Sequence, residues 1–296
     1  MSRSPSAPPR VTAVVLNWCG EADTAACLRS LLASDYPMLH ILLVDNGSPD
    51  GSGERLHCAF PQVEYLHVGE NTGYSGGNNR GIERALEGGA EFVLVLNNDT
   101  LVEPDCVARL VEVACATREV GAVGGKILYF DAPARIWFGG GDFSRLRAVG
   151  LHRHEREADP DPTGGAVEEV SFLTGCCLLI PARVLREVGP FEEDFFMYVE
   201  DLDLTYRMRA AGYRLLYQPG ARLLHRVAPD AAPPTSRQIV LRDRNRRRFV
   251  RRRYGRADRL RFALFFYPTR VVQAARYLLR GDGGRAVAIW HGMTLR

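Results

Sequence analysis

The chain has 296 residues, of which 46% are apolar and 25% charged, and its formal net charge is +3. These proportions are those of an ordinary globular protein with a sizeable core, and they exclude a wholly disordered or fibrous chain. Seven cysteines, an odd number with no CxxC pair and no zinc-like spacing to histidine, exclude a disulfide framework or zinc knuckle and fit a reduced cytosolic setting.

The opening MSRSPSAPPR lacks the apolar region of a signal peptide, so residues 1–10 are expected to form a disordered leader. From Val11 the chain alternates short β-rich runs with helical patterns: VTAVVLNW, a helix over 21–33, HILLVDN, a short helix, VEYLHV, a helix over 76–87, and EFVLVLNND. That rhythm predicts an α/β fold with a mostly parallel central sheet covered on both faces.

In such sheets ligands gather beyond the carboxyl ends of the strands. Here those ends read Asn17, Asp45-Asn46-Gly47-Ser48, Asn71-Thr72-Gly73 and Asn97-Asn98-Asp99. Any one of them is an ordinary turn or helix cap, but four on one edge predict a site.

Past Pro104 the runs GAVGGKILYF and IWFGGGDF predict an added antiparallel portion, followed by a mobile polar loop over 152–165. A helix is expected over 201–211, stopped by Gly212. APDAAPP reads as a linker, which divides the chain into a catalytic domain over 11–228 and a helical arginine-rich segment over 229–296. The run FALFFYPTRVVQAARYLL carries Pro268, Arg270, Gln273 and Arg276 and falls short of the ~20 apolar residues of a spanning helix.

Three stretches carry candidate chemistry. In LNNDT a strand ends in an acid on a tight turn, which suits Asp99 to a divalent cation bridging a nucleotide diphosphate. VGENTGYSGGNNRGI is glycine-rich ahead of a helix but lacks the spacing and the lysine of a phosphate-binding loop, which disfavours a nucleoside triphosphatase. FFMYVEDLDL places Glu200, Asp201 and Asp203 directly behind Phe195, Phe196, Met197 and Tyr198. Acids carried next to an apolar run call for a partner or a task, and a general base for an acceptor hydroxyl is one such task. His225 closes ARLLH and gains meaning only beside Asp99.

In this order VVLNW, LLVDNGSPDGS, ENTGYSGGNNRGI, LNNDT, FLTGCCLLIPARVLREVGPFEEDFF and YVEDLDLTYRMRAAGYRLLYQPGARLLHR resemble an inverting glycosyltransferase of family 2, over roughly residues 11–226. The resemblance points to the rhamnosyltransferase-like branch of bacterial polysaccharide assembly. It implies a GT-A fold, a nucleotide-diphosphate sugar donor and a Mn or Mg ion. Position by position it implies that Leu16, Asn17 and Asp45 hold the pyrimidine, and that Asn71, Gly73 and Asn78 line the nucleoside pocket. Asn97, Asn98 and Asp99 fill the DxD-like motif, with Asp99 and His225 at the metal. Asp201 would be the base, and Trp137, Thr174 and Gly175 the sugar and acceptor pocket. Asn97 stands where the motif usually has aspartate; its amide keeps a hydrogen bond for ribose but no charge for a metal. Glu200 is expected to bind acceptor hydroxyls, and Asp203 to cap the helix or pair with an arginine.

The donor implied is a dTDP- or UDP-sugar, possible rhamnose included, and the acceptor a glycan or polyprenyl-linked hydroxyl. Phe249, Tyr254, Phe262, Phe265, Phe266 and Tyr267 among the arginines suit an anionic membrane surface at the inner face of the cell membrane better than nucleic acid. Two rivals stand beside this reading. A sugar-1-phosphate nucleotidyltransferase would carry a basic glycine-rich loop near the start, and LNWCGEAD has none. A degenerate glycosyltransferase acting as a membrane scaffold is prompted by Asn97.

Overall fold

The computed structural model describes residues 7–161, 164–227 and 233–295. Most of the expected leader, the centre of the expected linker and the boundary at 228/229 lie outside the described residues. The first half follows the predicted alternation: β1 (Val11–Asn17), α1 (Glu21–Leu32), β2 (Leu39–Asp45), α2 (Ser52–Ala59), β3 (Glu64–His67), α3 (Gly73–Glu87) and β4 (Phe92–Asn97). β1 pairs in parallel with β2 and β4, and β2 with β3. All of β1, β2 and β4 are apolar runs buried under helices on both sides, as parallel strands require.

In β1 and β2 the last residues, Asn17 and Asp45, are register partners, while Leu16 faces Asn97 of β4, so three polar strand ends do share one edge. β3 instead stops at His67, and Asn71-Thr72-Gly73 belongs to the loop that opens α3. α3 begins three residues ahead of its predicted start. Cβ atoms at its Gly77 and Gly81 would come within 2.5 Å of Leu16 and 2.3 Å of Val14, so these glycines serve to let the helix lie flat on β1.

The second half is β5 (Thr100–Val102), α4 (Cys106–Ala116), β6 (Val120–Tyr129), β7 (Ala132–Phe138), β8 (Gly141–Ser144), β9 (Val149–His152), β10 (Glu168–Val170), β11 (Cys177–Pro181), α5 (Ala182–Val188), α6 (Glu200–Ala210) and β12 (Arg214–His225). The sheet runs β10-β12-β6-β11-β4-β1-β2-β3, with β5 on β12 and β7 on β6. β11 enters antiparallel to β4, and β7, β8 and β9 form antiparallel pairs, which is the added portion expected from the glycine-rich runs. Within the polar stretch over 152–165, of which residues 162 and 163 lie outside the described residues, Asp159 is tied to the sheet. Lys126, the chain's single lysine, reaches Asp159 at 2.7 Å in a pair that is almost wholly buried, and Arg222 lies 3.2 Å from the same carboxylate. An ion pair this dry stays formed because separating it would strand a buried charge.

The C-terminal part is α7 (Ser236–Arg253), α8 (Arg256–Leu279) and α9 (Gly283–Thr294). α7 starts with a capping box, Thr235 and Gln238 exchanging bonds with each other's backbone N–H. It is packed into the catalytic body: Phe249 is fully buried, and Arg253 Nε donates to Asp203 Oδ1 at 2.7 Å. Asp203, itself buried, takes a second arginine, Arg207, at 2.8 Å, so the expected arginine pairing of this acid is present twice over. The aromatic residues expected to face a membrane are mostly core, since Phe249, Tyr254, Phe262 and Phe266 are all buried. What α8 and α9 expose instead is aliphatic and indole surface at Leu260, Leu264, Val271, Leu279 and Trp290. Among the described residues no helix is long and apolar enough to cross a membrane.

Candidate active site

The turn between the Glu193–Phe195 single helical turn and α6 has an unusual backbone. Phe196, Tyr198 and Val199 have φ of 61°, 70° and 77°, in the left-handed region that side chains, and β-branched ones above all, avoid. Such strain persists only where neighbours over-determine it. Here Asn245 of α7, fully buried, donates from Nδ2 to the carbonyls of Phe195 (2.6 Å), Met197 (2.8 Å) and Tyr198 (3.0 Å). From the other side Ser75 N donates to Phe196 O, and Gly73 comes so close that a Cβ there would meet that oxygen at 2.5 Å. With a φ of 78°, Gly73 has two reasons to be glycine.

That turn delivers Glu200 and Asp201 to the start of α6. Asp201 accepts from Gly175 N at Oδ2 (3.1 Å) and from Leu202 N at Oδ1 (2.7 Å), while the Oε2 of Glu200 is buried without a partner. Burial raises both carboxyls, Glu200 well above the usual range and further by the charge of Asp201; the donated hydrogen bonds hold Asp201 down against its own desolvation. The two carboxyls are thus treated unequally, Asp201 receiving two backbone donors while Glu200 Oε2 receives none. Glu200, expected to touch acceptor hydroxyls, is buried among protein atoms and is not among the residues lining either cavity described below. Thr174 and Gly175 act on Asp201 itself, Gly175 through its N–H and Thr174 through its hydroxyl. Burial drives up the pKa of the Tyr74 hydroxyl, with the neighbouring carboxyls adding to it, and that hydroxyl donates to Gly175 O at 2.9 Å.

Two cavities flank the turn, and Tyr198 lines both. The first, of about 290 Å³, lies over the strand edge between Leu16, Asn71, Gly73 and Asn98 on one side and Phe196, Met197, Arg237 and Leu241 on the other. Trp18, half exposed, stands at its rim, and Asn46 forms part of its floor. Asn46 accepts from Thr72 N and donates to Gly73 O, fixing the loop that opens α3. Asn46 is one of the polar strand-end residues named from the sequence; Trp18 was not singled out, and its place directly after a strand end was the available signal.

Three residues expected to contact the nucleotide have protein partners instead of facing this cavity. Asn17 and Asp45 are fully buried and turned toward each other, Asn17 Nδ2 donating to Asp45 Oδ1 at 3.1 Å, with Ser48 and Thr24 closing the network. Asp45 Oδ2 is engaged by His67 at 3.0 Å. Asn78 is buried in α3, its Nδ2 donating to Tyr74 O. All three build the wall and do not face the cavity.

β12 returns beside β5 with His225 opposite Thr100, and this register carries the imidazole to the acid that precedes Thr100. His225 Nε2 lies 3.1 Å from Asp99 Oδ1, yet that oxygen makes no hydrogen bond, so the contact is one of distance and not of bonding geometry. Asn97 Oδ1 and His225 Nδ1 are likewise buried without partners. Trp137, expected in the sugar and acceptor pocket, packs edge-on to His225 with ring centroids 4.5 Å apart and is not among the residues lining either cavity. No cluster of three or more metal-ligating side chains occurs among the described residues. A carboxylate and an imidazole with orphaned atoms fit a cation that takes its other ligands from phosphate oxygens and water.

The second cavity, of about 500 Å³, opens on the other side of the turn and is walled by Asp201, His152, Arg147, Arg242, Arg246 and Arg270. His152 Nδ1 lies 3.1 Å from Trp137 O, which assigns its proton to Nδ1 and leaves Nε2 as an acceptor; burial lowers its pKa and keeps it neutral. Asp201 thus stands at the wall of a basic cavity, with the strand-edge cavity across Tyr198.

A family model described as "Glycosyltransferase like family 2" matches residues 8–251. The N-acetylglucosaminyl-diphospho-decaprenol L-rhamnosyltransferase of Mycobacterium tuberculosis is 32% identical over 67% of this chain and 69% of its own. A low-salt glycan biosynthesis hexosyltransferase of Haloferax volcanii is 27% identical over 79% of this chain and 73% of its own. Among solved structures, GalNAc-T7 with UDP, GalNAc and Mn2+ superposes with a TM-score of 0.64 at 15% identity, over 83% of this chain and 48% of that one. A Pyrobaculum calidifontis mannosyltransferase with GDP-Man and Mn2+ gives 0.59 at 16%, over 98% and 88%. These likenesses show the GT-A fold, and the extent of the family match together with the identity to the rhamnosyltransferase places the chain in glycosyltransferase family 2.

Proposed function

We propose that this glycosyltransferase moves a sugar from a nucleotide-diphosphate donor to an acceptor hydroxyl with inversion, Asp201 serving as the base. The observation that carries the reading is the unequal setting of Glu200 and Asp201: Asp201 accepts from two backbone N–H groups at a cavity wall, whereas Glu200 is buried with Oε2 unpartnered. An ionised carboxylate aimed into a cavity from a helix N-terminus is suited to take a proton as the hydroxyl oxygen attacks the anomeric carbon. A single displacement inverts that carbon and needs no second carboxylate as nucleophile.

The cavity between Trp18 and Arg237 is the donor pocket in this reading. Trp18 offers a face for the base, Asn71 and Asn98 offer amides, and Arg237, stacked on Phe196 with its guanidinium 5.9 Å from the ring centroid, offers charge to a diphosphate. Asp99 and His225 would hold a Mn or Mg ion. When bound, the ion supplies charge neutralisation for the departing diphosphate. The likeness to a rhamnosyltransferase favours dTDP-rhamnose as donor and a polyprenyl-diphosphate glycan as acceptor in cell-surface polysaccharide assembly.

A peripheral membrane contact through α8 and α9 accompanies this acceptor. Leu264, Leu279 and Trp290 supply exposed apolar surface, and Arg244, Arg247, Arg248, Arg251 and Arg259 line a cavity among whose walls no carboxylate appears. Asp201→Asn tests the central assignment: the amide keeps the shape and loses the basicity. Transfer should fall below about one part in 10² of wild type, the smaller effect expected for a lost general base, with nucleotide-sugar binding retained. Near-normal turnover by this variant would remove Asp201 from the chemistry.

A further inference from the structure

The second cavity holds more positive charge than its own carboxylates balance. Besides Asp201, its wall has one acid, Asp243, buried at 2% exposure and shared by Arg246 and Arg270 through the same oxygen, at 3.4 Å each. The Nε of Arg270 is buried without a partner. Arg242 is exposed and lies on the Tyr198 ring, 4.7 Å from its centroid; neither it nor the exposed Arg147 has a carboxylate partner among the described residues. Arg246 is buried and spends Nε and Nη2 on Arg147 O, and the guanidiniums of Arg270 and Arg147 add to the burial that lowers it to about 10. Four guanidiniums against two carboxylates, Asp201 and Asp243, form a cavity whose charge is completed by an anion.

We propose that Arg147, Arg242 and Arg270 form a diphosphate subsite for the acceptor, which seats a prenyl-diphosphate-linked sugar with its hydroxyl toward Asp201. This rests on the transfer reading above and deepens it: it assigns the acceptor's anion to residues that neither the family motifs nor the donor pocket use. The arrangement also selects. A neutral glycoside would leave the guanidiniums repelling one another, whereas a diphosphate accepts their hydrogen bonds in pairs. Donor and acceptor diphosphates would then lie on opposite sides of Tyr198, the residue common to both cavities.

The test uses the full chain and farnesyl diphosphate, a prenyl diphosphate without a sugar, titrated with the donor pocket filled by dTDP and Mn2+. Saturable binding is expected, weakened by about tenfold or more in Arg147→Gln/Arg242→Gln, two exposed positions, and again in Arg270→Gln, the size expected for lost charge-assisted hydrogen bonds. The affinity for dTDP should not move, which also reports that the variants are folded. Farnesyl diphosphate binding that is absent, or unchanged in the variants, overturns the proposal, and so does an equal loss of dTDP affinity. Phosphatidylglycerol vesicles separate the sources of phosphate: if the same substitutions weaken vesicle binding by the same factor, the site reads lipid headgroups and the acceptor assignment fails. Binding of farnesyl diphosphate by a protein that turns over no nucleotide sugar would sink the transfer reading and leave the subsite standing.

Discussion

Replacing Asn245 with alanine tests whether α7 holds the catalytic turn. The amide nitrogen of Asn245 is the donor to three carbonyls of the turn, at 2.6, 2.8 and 3.0 Å, and it is fully buried. Its removal forfeits bonds worth about 0.5–1.5 kcal/mol each and strands acceptors at a similar cost. The turn it restrains has three non-glycine residues at positive φ, each strained by about 1–2 kcal/mol, so part of the loss is recovered as the backbone relaxes. The net expectation is destabilisation by about 2–4 kcal/mol, or roughly 3–6 °C in Tm for a chain of this size. Relaxation also moves Asp201, and a displacement of about 1 Å at a reacting group costs on the order of 10²-fold in kcat. Thermal melting and steady-state transfer are the two readouts. Asn245→Asp, which turns an acceptor toward three acceptors, should be worse than alanine in both. A variant with alanine at 245 that melts and turns over like wild type would refute the idea that the turn is held from α7.

Glu200→Gln should raise Tm at neutral pH and give no gain near pH 4. An acid whose folded pKa is raised costs stability as pH climbs from its unfolded value of about 4.3 toward the folded one, and the amide removes that cost; a pH series of melts decides, and a gain equal at all pH values would contradict a protonated Glu200. Asp99→Ala should raise the Mn2+ concentration for half-maximal donor hydrolysis by about tenfold or abolish activity, since losing even an outer partner weakens metal sites about 10–100-fold; an unchanged metal titration would take Asp99 out of the metal site. Leu264→Glu and Leu279→Glu, both on the exposed face of α8, should each weaken binding to phosphatidylglycerol vesicles by about tenfold, the value of burying one leucine. Point substitutions are the suitable membrane test, because removing the chain beyond residue 233 would also take away Asn245 and Phe249, which pack into the rest of the fold.

Much of this protein is legible from sequence. The alternation from Val11 to Asn97 determined the parallel half of the sheet, because a strand buried on both faces must be an unbroken apolar run and its crossover helix must be amphipathic. The polar residues ending β1, β2 and β4 marked the edge beside which the proposed donor pocket opens, and the ordered motifs pointed to the family. Asp203's need for arginine was readable because an acid beside a core requires a partner.

The roles within the site were decided by tertiary structure. Glu200 and Asp201 are adjacent and chemically alike; they part only because Gly175 N, from a loop far back in the chain, reaches Asp201 and no donor reaches Glu200 Oε2. Asn17, Asp45 and Asn78 looked like ligand contacts and turned inward, since each found protein partners as the strands and α3 closed on one another. The arginine-rich segment read as an appendage, yet α7 supplies Asn245 to the catalytic turn, Arg253 to Asp203 and the arginines that face Asp201. Periodicity tells which face of an element is buried, but hydrogen bonds and charges act over a few ångströms between residues distant in sequence, and only the folded chain sets which of those residues meet.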